Sequence, residues 1–112
     1  MAKKRIPLHP GAFIKGVYID EGGLKAEAIA DALGVHKGTM SRLINGRSDL
    51  TPAMAVKIST VLGRSPQSWM NMQQAHSLAK AEEAIRVEKW KPTAKLSGGQ
   101  MKATRNRTGQ AA

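Results

Sequence analysis

The chain has 112 residues, with 18 Lys and Arg against 8 Asp and Glu, a net charge of +10 and no cysteine. That length suits one domain with a modest core. The missing thiols exclude a disulfide framework and a thiolate metal site, and no run nears the ~18 apolar residues of a membrane span. The positive excess suits a polyanionic partner. It is spread along the chain, since residues 1–80 hold 11 basic and 5 acidic residues.

Residues 1–8 (MAKKRIPL) read as a mobile basic arm. Contact with phosphates or a minor groove and a merely solvated terminus both fit it. Pro10 is suited to start a first helix, and Phe13, Ile14, Val17 and Tyr18 are spaced as its buried stripe. Asp20-Glu21-Gly22-Gly23 ends it.

Residues 24–46, LKAEAIADALGVHKGTMSRLING, carry the most information. Leu24, Ala28, Ile29 and Leu33 form one apolar stripe at helical spacing. Gly34 suits the left-handed conformation that ends a helix without Cβ strain. Val35 is placed to plug the corner between two helices. Met40, Leu43 and Ile44 form a second stripe, and Asn45-Gly46 supplies the stop. Two short helices around such a tight turn read as a helix-turn-helix.

The second of these helices breaks local rules at its start. His36 stands where Ser, Thr, Asp or Asn makes a better N-cap. Lys37 sets a positive charge at the positive end of the helix dipole, against a preference of ~0.3–1 kcal/mol. Gly38 costs roughly 1 kcal/mol relative to alanine. Conflicts of this kind are expected where function outranks stability. A lysine facing a major groove and a glycine admitting close approach account for both, and Thr39, Ser41 and Arg42 share the exposed region.

Arg47-Ser48-Asp49-Leu50 is a polar loop, and Thr51-Pro52 is a strong helix start. Met54, Ile58, Val61 and Leu62 are expected inside, with Gly63 as the stop. Ser65-Pro66 repeats the start signal for a fifth helix, on which Trp69, Met72 and His76 share a face. AKAEEAIRVEKW continues it to about Trp90, with Glu82 and Arg86 as an i,i+4 pair. From Lys91 onward there are five basic and no acidic residues among Gly, Ser, Thr and Gln, the composition of a disordered tail. The expected organisation is thus an arm (1–8), a helical domain (9–90) and a basic tail (91–112).

His9, His36 and His76 lie in separate segments, without metal-binding spacing, a phosphate-cradling glycine loop or a nucleophile elbow. Ser41 has no sequence-adjacent base. Only Phe13, Tyr18, Trp69 and Trp90 are aromatic, too few for a single-strand stacking platform. The expectation is a non-enzyme without cofactor or metal. With no apolar signal core at its N-terminus, the chain is expected in the cytoplasm.

One short recognition helix covers too few base pairs for selective binding. A two-fold homodimer on a palindrome is therefore expected, with half-sites roughly 34–36 Å apart. Met70, Gln74 and Leu78 lie off the Trp69 face and are the candidate dimer contacts.

Several pieces in order resemble the HigA group of antitoxins, within the lambda-repressor-like (XRE) helix-turn-helix family. They are His9-Pro10-Gly11, the ALGV turn, the S-R-L-x-N-G helix end, the T-P-x-M-A segment and L-G-x-S-P-x-x-W, between about His9 and Ala81. The resemblance implies an all-α, five-helix domain that binds palindromic double-stranded operator DNA as a dimer and represses its own operon. It also implies neutralisation of a small basic toxin, a ribosome-dependent mRNA interferase. Lys37, Gly38, Ser41 and Arg42 fall where the family reads bases, and Thr39 and Asn45 where it holds phosphates. Arg42 is the strongest base reader, since its fork takes guanine O6 and N7 together. Where many relatives carry a phosphate-capping glutamine this chain has Ala26, and the adjacent Lys25 is the substitute phosphate contact. Arg47 is a further phosphate candidate. Two alternatives stay open: a stand-alone phage- or plasmid-type repressor without a toxin, and a partner-neutralising protein with weak DNA binding, which the Ala26 departure invites.

Overall fold

A computed structural model describes residues 6–96. The basic cluster Lys3–Arg5 and the tail beyond residue 96 lie outside the described residues. Five helices and no strand are found among the described residues, and no helix there is long and apolar enough to cross a membrane.

Helix α1 spans Pro10–Phe13 and continues through a wider π-helical stretch, Ile14–Glu21. His9 caps it, its Nδ1 accepting the Gly11 N–H at 2.9 Å. Ile14 is fully buried, but Val17, expected inside, is 41% exposed. Ile19 packs on the core instead. The π-helical turn, with i→i+5 bonding, breaks the 3.6-residue phase on which the expected stripe depended.

Helix α2 spans Ala26–Leu33, with Lys25 as an extended N-cap. It buries Ile29, Ala30 and Leu33, whereas Leu24 and Ala28, both expected in the stripe, are exposed. Leu24 precedes the first helical residue and so has no helical phase to share. Ala28 sits one position off the i, i+3/i+4 row that Ala26, Ile29, Ala30 and Leu33 define.

Helix α3 spans Lys37–Ile44 and α4 spans Pro52–Leu62. The α4 N-cap is Thr51, whose Oγ1 accepts the Met54 N–H at 3.2 Å. Ala55 and Ile58 are buried and Leu62 lies on the same i, i+3, i+7 row, which leaves Val61 outside at 39% exposure. Helix α5 spans Pro66–Glu88, about 34 Å at 1.5 Å per residue, capped by Ser65.

Trp69 is the largest fully buried side chain, and its Nε1 donates to the Gly63 carbonyl at 2.9 Å. Phe13 meets it edge-on at 5.7 Å, and the Arg64 guanidinium covers both rings at 5.1 and 5.6 Å. Met70, a candidate dimer contact, is partly buried against this core; Gln74 and Leu78 are exposed. Arg86 forms an i,i+3 ion pair with Glu83, at 3.1 and 2.5 Å.

Helix α1 packs on α3 and α5, α2 on α3 and α4, and α4 on α5. The α1–α3 approach is close enough that a Cβ on Gly11 would lie 1.7 Å from the Leu43 carbonyl oxygen. Only glycine fits there, and the C-terminal end of α3 rests directly on the α1 backbone.

Candidate nucleic-acid interface

The α2–α3 corner follows from local chemistry. Gly34 takes φ 74°, in the left-handed region, and the Val35 N–H turns back to the Ala30 carbonyl at 3.0 Å. That is a Schellman closure, which satisfies a carbonyl the helix end would otherwise orphan. His36 is extended and makes no side-chain cap, so α3 begins with Lys37 and Gly38 on a bare first turn. At the other end the Arg47 N–H reaches the Arg42 carbonyl at 2.8 Å and ends the helix.

Successive helical residues turn by about 100°. Met40 and Leu43 point into the core, so Gly38, Ser41, Arg42 and Asn45 fall on the opposite side, while Lys37, one turn before Met40, lies on the flank. All five are exposed. Three of the four expected base-reading residues thus share one outward face, and Lys37 borders it at the start of the helix. At Gly38 a Cβ would meet only the Arg42 Nη1, at 3.6 Å, so nothing in the protein interior demands a glycine there.

The expected phosphate-contact residues are more dispersed. Lys25 is exposed at the start of α2, and Arg47 is exposed just beyond α3. Thr39 is half-buried on the flank of α3, its Oγ1 accepting from Arg42 Nη2 at 3.5 Å. It borders a cleft of about 260 Å³ shared with Arg42, Ser48, Asp49, Thr51 and Met54. Asn45 folds back on its own helix, donating from Nδ2 to the Ser41 carbonyl at 2.8 Å.

Three features escape a reading of the sequence alone. Glu27, in the first turn of α2, forms an ion pair with Lys37 at 3.1 Å. Gln73 of α5 is buried, and its Oε1 accepts the Leu50 N–H at 2.7 Å while its Nε2 donates to Ser77 Oγ at 2.9 Å. The loop that follows α3 is thereby pinned to the core. His9 and His76, far apart in the chain, stack edge-on with centroids 5.0 Å apart. A polar residue amid the apolar rows of α5 is the one signal that could have marked Gln73; the other two pairings depend on how helices pack. Among the described residues no group of three or more metal-ligating side chains is assembled.

A helix-turn-helix family model matches residues 18–69. An uncharacterized HTH-type transcriptional regulator of Escherichia coli K12, YddM, is 44% identical over 71 residues, 63% of this chain and 76% of that protein. Antitoxin HigA-1 of Vibrio cholerae is 40% identical over 75 residues, 67% of this chain and 70% of that protein. The solved structure of antitoxin GraA in complex with its operator superposes with TM-score 0.74 at 30% identity, covering 88% of this chain and 99% of that one. With the geometry of residues 24–46, these likenesses bear out the resemblance carried by the His9–Ala81 motifs: the chain belongs to the HigA group of the XRE-type helix-turn-helix family.

Proposed function

We propose that this protein is an autoregulatory repressor and antitoxin that binds double-stranded operator DNA through α3. The observation that carries the reading is the outward face of α3. Gly38, Ser41 and Arg42 stand there opposite Met40 and Leu43, with Lys37 at the edge, on a helix seated against α1 and α2. An α-helix fits the major groove, where Arg and Lys discriminate guanine edges. Lys25, Thr39, Asn45 and Arg47 flank that face as phosphate contacts, which set register without reading sequence. The operator complex of GraA supports the same use of the fold. The function is binding, not catalysis, and its setting is the cytoplasm, at the nucleoid.

Dimerisation is part of the proposal. Gln74, Leu78 and Ile85 fall on one row of α5 at i, i+4 and i+11, and Leu78 and Ile85 are 58% and 45% exposed. A second copy meeting this row would bring two α3 helices to one palindrome. Toxin neutralisation rests on the likeness to HigA-1, with a small basic toxin encoded beside this chain as the expected partner.

Fluorescence anisotropy on the chain's own upstream duplex against a scrambled one, at two salt concentrations, tests the reading. A preference of about a thousand-fold or more is expected of a specific repressor. Equal and steeply salt-dependent binding to both duplexes would reduce the surface to a generic polyanion site. Co-expression with the neighbouring small basic protein tests the antitoxin half, through co-purification of a stable complex.

A further inference from the structure

The start of α3 poses an electrostatic problem that the fold answers. Lys37 is the first helical residue and sits where the helix dipole is positive, an unfavourable place for an ammonium. Across the turn, Glu27 stands at the corresponding end of α2, where the dipole favours a carboxylate. Glu27 Oε2 lies 3.1 Å from Lys37 Nζ, with the two side chains 67% and 73% exposed. A pair so open to solvent contributes little to folding. Its place gives it another consequence. It sets a carboxylate on the surface that faces DNA, joined to the lysine that opens the recognition helix.

From this geometry we infer that Glu27 is a specificity-determining residue that acts through Lys37, an inference that rests on the operator-binding reading above. In the free protein Glu27 Oε2 takes one N–H of the Lys37 ammonium and partly offsets its charge toward an arbitrary phosphate. A generic duplex must separate the pair and leave a carboxylate facing the polyanion, and like-charge juxtaposition of that kind suppresses wrong partners. A duplex that presents a base-edge acceptor at the α3 N-terminus takes a second N–H of the same ammonium and leaves the Glu27 contact in place. Glu27 therefore lowers background affinity more than operator affinity, and it does so only while Lys37 is present.

The test is a double-mutant cycle on the full chain, with Glu27→Gln, Lys37→Gln and the double variant. Anisotropy is read on the upstream and scrambled duplexes across a salt series. Glu27→Gln is expected to tighten scrambled-duplex binding about three-fold or more, steepen its salt slope by about one unit and lower the operator preference. In the Lys37→Gln background the same substitution is expected to leave the preference unchanged. An unchanged or increased preference in Glu27→Gln overturns the inference, and so does an equal fall with or without Lys37. A wild-type chain without operator preference would instead remove the underlying reading, an outcome visible before any variant is made. Should Glu27→Gln fail to fold, Glu27→Ala takes its place in the same cycle, with the same expected and overturning outcomes.

Discussion

The imidazole of His9 meets that of His76 edge-on, with ring centroids 5.0 Å apart and planes 86° apart. The contact joins the cap of α1 to α5, and His76 Nδ1 also lies 2.7 Å from the Pro7 carbonyl. His9 is 5% exposed and uses its Nδ1 as an acceptor for the Gly11 N–H. A protonated Nδ1 would face that N–H as a second donor. The cap therefore requires neutral imidazole.

Acid is accordingly expected to loosen α1. Burial, then the nearby His76 charge, push His9 below the ordinary histidine pKa, against smaller opposing effects of the Ser48 backbone and Asp49; Lys80 adds to the lowering. The unfolded chain then takes up this proton before the folded one does. The stability contributed is full above the ordinary histidine value and is lost as pH falls through the lower folded-state value. Thermal melts between about pH 7 and about pH 5 should show a falling Tm. His9→Asn retains an N-cap acceptor without a titratable ring and should flatten that dependence. A slope equally steep in His9→Asn would place the sensitivity elsewhere.

Gly11→Ala is expected to be among the most damaging single-methyl changes in the chain. The new Cβ would lie 1.7 Å from the Leu43 oxygen, a backbone atom that has no rotamer with which to move aside. Overpacking of this kind costs about 3 kcal/mol or more when the backbone must shift, and Tm should drop by at least about 10 °C. Because Leu43 lies on α3, surviving folded protein should also bind operator more weakly. Gly16→Ala is the control, since a Cβ there meets nothing within 4 Å.

Gln73→Met keeps the side-chain volume and removes the acceptor for the Leu50 N–H. Leu50 is 3% exposed, so its N–H would be left buried and unpaired, at about 2 kcal/mol. A Tm lower by roughly 8–16 °C is expected. Lys57→Met, on the exposed face of α4, should stay within about 0.5 kcal/mol of wild type. Equal effects at the two positions would mean that the Gln73–Leu50 bond contributes nothing to the fold.

Arg42→Ala and Lys25→Ala should fail in different ways on DNA. Loss of Arg42 from the outward face of α3 is expected to lower the ratio of operator to scrambled binding by about ten-fold or more, from ~1–3 kcal/mol of base discrimination. Loss of Lys25 should weaken both duplexes alike and reduce the salt slope by about one. Competition anisotropy at two salt concentrations separates the outcomes. An unchanged ratio for Arg42→Ala would remove it from base reading.

What the residues alone determined is mostly local. Helix starts at Thr51-Pro52 and Ser65-Pro66, the left-handed stop at Gly34 and the exposed set Lys37, Gly38, Ser41 and Arg42 each depend on chemistry within a few residues. They were legible for that reason, as was the family, whose motifs are runs of such local signals. The apolar rows were less so. Val17 lost its place to a π-helical turn, and Leu24 lies before its helix, because phase depends on where a helix begins and how tightly it winds. Only the tertiary structure decided the long-range pairings: Gly11 against Leu43, Gln73 on Leu50, His9 with His76 and Glu27 with Lys37. Each joins side chains or backbone from different segments, and such a distance is set by the packing of whole helices around Trp69, Ile14, Met40 and Ile58. No local periodicity encodes it.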